Sequence, residues 1–354
     1  MTVRLLKKAR CIDLVDALSD DYEIVAPVRK KDDTLFEPLS GGAEMDLDYL
    51  NSPVAPREFL LPQDETVFEY SDPENGTTLQ PKIKDRCRII LGIRSCDLNG
   101  ILLLDSVFSK DIPDLYYLNR REKTVFIAMA CNQPGNSCFC SSLKTGPSAS
   151  EGYDLLLTDL GDEYLVEVGS SRGEEIVKIG RGLFGEAGEP EIKRKADLLA
   201  IALESFVLRV DFQRVTELMK GLFADGMWED IAERCLRCGG CSFVCPTCHC
   251  FNLFDRQLSE TSGKRTRGWD SCLFSGFTRM AGGINPRGSK VERIRQRFFC
   301  KLVYYVEKYG AYGCVGCGRC TDTCPGYIDI AQVVTSVSLR SKGYEVDVGA
   351  KPER

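Results

Sequence analysis

Between residues 235 and 325 the chain writes one cysteine phrase twice: Cys235-x-x-Cys238-x-x-Cys241-x-x-x-Cys245-Pro246, then Cys314-x-x-Cys317-x-x-Cys320-x-x-x-Cys324-Pro325. Three thiols at intervals of three let a tightly looping backbone reach three corners of one cubane. The fourth follows a longer gap and precedes Pro, so it leaves in a new direction and serves the neighbouring cubane. The doubled phrase therefore predicts a module with two [4Fe-4S] clusters. Cys235, Cys238, Cys241 and Cys324 would hold the first, and Cys314, Cys317, Cys320 and Cys245 the second. Such a module implies electron transfer.

Eighteen cysteines in 354 residues could also build a secreted disulfide scaffold. Against that, the opening Met-Thr-Val-Arg-Leu-Leu-Lys-Lys-Ala-Arg-Cys has no apolar signal core and no small-residue cleavage site. No apolar run reaches the length of a membrane span. Clustered Cys-x-x-Cys spacings in a chain this long read as metal ligands, which places the protein in a reducing, anaerobic cytoplasm. His249 is the sole histidine, which argues against His-based acid/base chemistry, His-rich zinc sites and paired haem ligation. The three-plus-one spacing selects iron–sulfur over zinc. Net charge is −14 over residues 1–230 and +8 over 231–354. A cubane with four thiolates carries about −2, so the basic excess reads as compensation for buried clusters. Nucleic-acid binding is disfavoured, since no aromatic-interleaved basic stripe or reading motif accompanies the charge.

With 43% hydrophobic residues the chain can fill two cores. Residues 1–20 read as a helix with Leu5, Leu6, Ile12, Leu14, Val15 and Leu18 on one face. The turn-rich stretch 41–58 reads as a surface excursion. Arg88–Arg94 and Thr124–Ala130 are continuous apolar runs, as expected of strands in a parallel sheet covered on both faces. A helix over Asp97–Phe108 lies between them. Further strands are expected at Tyr153–Thr158 and Glu163–Val168, and helices at Glu174–Ile179, Lys193–Val210 and Phe212–Phe223. The predicted architecture is an α/β domain with a mostly parallel sheet (1–225), then an α+β ferredoxin-like two-cluster domain (226–335). The second domain carries an insertion between its two cysteine phrases, and a tail follows (336–354).

Two further cysteine groups are left over. In a parallel sheet the carboxyl ends of neighbouring strands share one rim, the usual place for a cofactor. Cys96 and Cys131 follow the two apolar strands, and Cys138 and Cys140 sit just beyond, giving the ligand count of a third cluster; packed apolar thiols are the plainer alternative. Cys248, Cys250 and Cys272 form a second group, either three ligands of a fourth cluster with an open position or core thiols. Cys11, Cys87 and Cys300 read as ordinary small hydrophobes, and His249 as a solvent-facing or supporting residue. Arg287, Arg293, Arg295 and Arg297 read as a solvated or docking face.

Several phrases together resemble the β, electron-transfer subunit of cytosolic sulfhydrogenases and the related 4Fe-4S dicluster subunit of the anaerobic sulfite reductase. They are Pro56-Arg-Glu-Phe59, Arg94-Ser-Cys96-Asp97, Tyr116-to-Glu122, Cys138-Phe-Cys140, Cys245-Pro-Thr-Cys248-His-Cys250-Phe, Trp269-Asp-Ser-Cys272, Ala281-Gly-Gly-Ile-Asn-Pro-Arg287 and Cys314-Val-Gly-Cys317-Gly-Arg-Cys320. The likeness runs from about residue 50 to 330. Where the family commonly has His, this chain has Ile284. The resemblance implies that Cys96, Cys131, Cys138 and Cys140 are ligands. It also implies an adaptor with no catalytic residues of its own, in a hetero-oligomer with an FAD-containing NAD(P)H diaphorase subunit and a catalytic subunit of hydrogenase, sulfite reductase or transhydrogenase type. The residues agree, showing no Gly-x-Gly-x-x-Gly fingerprint, P-loop or triad. The competing expectation is a catalytic sulfur- or sulfite-reducing subunit with an open site at Cys248, Cys250 and Cys272, drawing anions to the nearby arginines.

Overall fold

A computed structural model of the chain describes residues 2–72, 76–83 and 86–344. Its strands are β1 (Val3–Lys7), β2 (Glu23–Lys30), β3 (Asp33–Pro38), β4 (Asp64–Ser71), β5 (Thr78–Pro81), β6 (Arg88–Arg94), β7 (Thr124–Met129), β8 (Leu155–Asp159), β9 (Glu163–Val168), β10 (Phe184–Glu186), β11 (Phe251–Ser259) and β12 (Ser262–Trp269). Eight of them form one sheet in the order β10-β1-β9-β8-β7-β6-β2-β3, and four form a second, β11-β12-β4-β5. In the large sheet the centre β2, β6, β7 and β8 is parallel. Antiparallel strands extend it on both sides.

The central strands are apolar throughout because both faces are covered. Val125, Ile127 and Met129 of β7 enter one core, while Phe126 and Ala128 enter the other. In β6, Ile89 and Leu91 follow the first face and Ile90 the second, but Ile93 breaks parity and joins Ile90. The cause is Gly92, whose φ of +82° makes a bulge where the pairing with β7 shifts by one residue. Only glycine adopts that conformation freely. The bulge resets which way the strand end points just before the cysteine at position 96.

Two local expectations fail for the same reason. Residues 3–7 are a strand and the helix begins only at Cys11, because Val3–Lys7 pairs with β9 and β10, partners more than 150 residues away. The stretch 41–58 is no surface excursion: Tyr49, Ser52, Ala55 and Arg57 are buried between the two halves of the chain.

The boundary expected near residue 225 falls in the turn before the helix Met227–Arg234. The halves are nonetheless interlocked. The insertion between the cysteine phrases contributes the hairpin β11–β12, and β12 pairs along its length with β4. A helical core around Trp228, Phe298, Leu302 and Val334 carries the cysteine loops. Its last helix, Ile330–Arg340, runs through the start of the expected tail, with Val337 fully buried. Residues 345–354 of that tail lie outside the described residues. Among the described residues no helix is long and apolar enough to cross a membrane.

The second sheet is tied down by buried charge. Glu65 of β4 accepts from Arg120 through one oxygen and from Arg267 of β12 through the other, the latter at 2.5 and 3.1 Å. Arg267 also pairs with Asp114. Removing one member of such a buried network costs roughly 3–5 kcal/mol, because the remaining charges stay buried. Glu65→Gln should therefore lower the anaerobic unfolding free energy by about 3 kcal/mol. A loss below about 1 kcal/mol would show that the sheet does not depend on this network.

Candidate metal centre

The two cysteine phrases fold alike. Arg237 and Gly239 flank Cys238 at positive φ, and Gly316 and Gly318 flank Cys317 in the same way. One turn of helix follows in each, Gly240–Phe243 and Arg319–Asp322. The Arg237 amide donates to the Cys235 sulfur and the Gly316 amide to the Cys314 sulfur, both at 3.4 Å. The Cys324 sulfur accepts from the Ile328 amide at 3.3 Å. Amide dipoles aimed at sulfur stabilise it as thiolate.

Cys235, Cys238, Cys241 and Cys324 line one cavity of about 40 Å³, together with Cys320, Leu273, Ile294 and Phe298. Cys245 is in hydrogen-bond contact with Cys248 and close enough to act electrostatically on Cys314, Cys317 and Cys320.

The sheet edge gathers the next set. Cys96 sits in the first turn of the helix Ser95–Ser109 that follows β6, and Cys131 follows β7. Cys96, Cys138 and Cys140 pack in one small cluster with Cys317, Phe206 and Val315. Cys131 lies close enough to Cys140 to act on it electrostatically, as Cys138 and Cys317 do. This group therefore abuts the second phrase. The Phe139 amide donates to the Gly316 carbonyl at 2.8 Å. A Cβ on Gly316 would come within 2.6 Å of the Cys140 amide nitrogen, and one on Gly318 within 2.6 Å of the Ser137 carbonyl. The contact between the two loops requires glycine at both places. Asp97, on the helix Ser95–Ser109 beside Cys96, holds Arg319 of the second phrase in a bidentate ion pair at 2.5 and 2.7 Å, and Arg319 also donates to the Ser52 carbonyl at 2.5 Å. Burial pushes the Cys138 thiol up to about 11, and drives Cys96 and Cys140 upward as well.

The surplus cysteines Cys248, Cys250 and Cys272 line another cavity, of about 160 Å³, together with Arg287, Arg297 and Lys301. Cys300, read from the sequence as an ordinary small hydrophobe, lines it too. Cys11 is buried in the sheet core as expected, whereas Cys87 is exposed. His249 is half-buried and in a supporting position. Its Nδ1 lies 2.8 Å from the Tyr305 hydroxyl and its ring stands edge-on to Phe108, and burial lowers it to about 4, which keeps it neutral. The arginines expected on a solvated face are split: Arg293 and Arg297 are buried, and Arg295 stacks on Phe223 at 3.9 Å. Ile284 is exposed.

What sequence reading missed is a set of buried cations. Arg57, Arg94, Arg297 and Lys301 are each less than 8% exposed, and among the described residues none has a carboxylate partner. Arg57 donates to the Ser242, Phe243 and Cys248 carbonyls and stacks on Trp269. Arg94 donates to the Ala130 and Tyr49 carbonyls. Arg297 reaches the Cys241 carbonyl and the Cys248 sulfur, and Lys301 the Thr247 hydroxyl. A buried charge without a counter-charge costs several kcal/mol. Arg297 contacts a cysteine sulfur directly and the other three lie near cysteine thiols, and a donor set of converging thiols walled by cations fits anionic iron–sulfur clusters.

These features define an iron–sulfur protein built onto an α/β sheet. Residues 234–328 match the family model of the 4Fe-4S dicluster domain. Over 325 residues the chain is 30% identical to sulfhydrogenase 2 subunit beta of Pyrococcus furiosus, covering 92% of this chain and 95% of that protein. The chain belongs to the sulfhydrogenase beta-subunit family. No solved structure matches it.

The Asp97–Arg319 clamp is directly testable. Asp97→Ala should cost roughly 3–5 kcal/mol by leaving Arg319 buried without its counter-charge. The double variant Asp97→Leu/Arg319→Met should recover most of that loss in anaerobic denaturation. If the double variant is no more stable than the single one, the two residues are not coupled.

Proposed function

We propose that the chain is an electron-relay subunit with three [4Fe-4S] clusters. Cys235, Cys238, Cys241 and Cys324 hold the first, Cys314, Cys317, Cys320 and Cys245 the second, and Cys96, Cys131, Cys138 and Cys140 the third. Loaded clusters supply one-electron carriers. The observation that carries the reading is their contiguity: the sheet-edge set packs against Cys317 of the second, and the second interleaves with the first through Cys245 and Cys324. Gly316 and Gly318 keep the loops in backbone contact, and Arg94 and Arg297 offset the charge of the ligands.

The relay would join an FAD-containing NAD(P)H diaphorase subunit to a catalytic redox subunit in a cytoplasmic hetero-oligomer. The relative's name, a beta subunit of a sulfhydrogenase, supports a larger assembly in which other chains do the terminal chemistry. A two-electron donor needs a flavin to split its hydride, and the sequence offers no dinucleotide fingerprint of its own. The alternative, sulfur or sulfite reduction at Cys248, Cys250 and Cys272, has the cations of that cavity in its favour. Arg297 and Lys301, however, are already engaged by the Cys241 carbonyl and Thr247.

Anaerobically purified alone, the chain should be reduced by dithionite and should turn over neither sulfite, polysulfide nor NAD(P)H. Affinity capture from native anaerobic cytosol should bring down a flavoprotein and a catalytic subunit. Steady NAD(P)H-driven reduction of a sulfur substrate by the isolated chain would overturn the relay.

A further inference from the structure

Cys248, Cys250, Cys272 and Cys300 come from three separate segments. The first two follow the first phrase, Cys272 follows β12, and Cys300 sits far inside the helical run 290–309. They converge on one cavity. A thiol that merely packs needs no such convergence. We propose that these four cysteines bind a further [4Fe-4S] cluster, with Cys300 as the fourth ligand.

Three observations support it. First, the helix around Cys300 is not regular: Lys290–Phe299 is α-helical, but Cys300–Tyr304 makes a π turn before α-helix resumes at Tyr305. An inserted residue of this kind weakens backbone bonding and is found mostly where it sets side chains for function. Here Arg297, Cys300 and Lys301, spaced three and four apart, all line the cavity. Second, Arg297 and Lys301 are buried there without a carboxylate among the described residues, so the wall calls for an anion. Third, there is room: the cavity the four cysteines share has a volume of about 160 Å³.

Four thiols leave no iron open to substrate, so this site is a carrier and not a reaction centre. Its position makes it a branch: Arg297 touches both Cys248 and the Cys241 carbonyl, and Cys248 is three residues from Cys245. The inference goes beyond the three-cluster relay and stands or falls separately from it, because metal content and turnover are measured independently.

The test is iron and acid-labile sulfide per chain in the full-length protein isolated anaerobically, with zinc assayed alongside. The expected content is about sixteen of each, against about twelve for three cubanes. Cys272→Ala/Cys300→Ala should lose about four iron and four sulfide, as should Cys138→Ala/Cys140→Ala at the sheet edge, while Cys87→Ala at the surface loses none. Should the cavity variant fail to fold, the wild-type count and its Mössbauer iron quantitation decide. Wild-type content near twelve with the cavity variant unchanged, or zinc in place of iron and sulfide, overturns the fourth cluster.

Discussion

The Asp97–Arg319 ion pair determines how the two halves of this protein can be placed. Both side chains are at most 2% exposed, and each stands beside a cysteine: Asp97 follows Cys96, and Arg319 precedes Cys320. A buried pair of this kind is often no more stabilising than apolar residues of the same volume. Its value is geometric, since a guanidinium fork and a carboxylate meet in one orientation only. With Arg319 also on the Ser52 carbonyl and Asn51 on the Cys317 carbonyl, the segment around residue 50 becomes a strap. It fixes the sheet edge against the second cysteine loop.

Charge follows the same geometry. Burial pushes the Cys241 thiol up to about 11 and Cys314 up to about 12, so in the absence of metal these sulfurs hold their protons. Cys245 and Cys272 go the other way, each lowered first by a hydrogen bond from a neighbouring thiol, Cys248 or Cys250, and then by Arg297 and Lys301. Metal ligands must deprotonate to bind, so loading adds negative charge at the raised sulfurs and releases protons. Folding and cluster loading are therefore coupled, and the basic excess of residues 231–354 belongs to the interior as well as the surface.

The sequence made some of this legible and hid the rest for identifiable reasons. The β6 and β7 strands could be read because an apolar run covered on both faces carries its own signal. The dicluster domain could be read because its cysteine phrase is written twice at the same spacing, within the residues that match the 4Fe-4S dicluster family model. The strand Val3–Lys7 could not, since its partners lie in β9 and β10, and a short apolar stretch has no period that separates strand from helix. The pairing of β12 with β4 is equally non-local. Cys300 was lost in an apolar helix, Phe-Phe-Cys-Lys-Leu-Val, where a cysteine looks like any small hydrophobe. Its one local signal is the cationic pair Arg297 and Lys301 at helical spacing on either side.

The interlocked second sheet gives this non-local pairing a physical purpose. Tunnelling between metal centres weakens steeply with distance, so a protein that carries several must hold their loops rigidly. Separate domains joined by a linker would drift relative to one another. Here a hairpin from within the cysteine-bearing half completes a sheet with β4 and β5 from the other half. The buried Glu65–Arg120–Arg267–Asp114 network locks that junction. The Asp97–Arg319 clamp closes a second junction at the cysteine loops. Two attachments far apart in sequence remove the hinge that a single contact would leave, so the cysteine sets keep their spacing even if one attachment loosens.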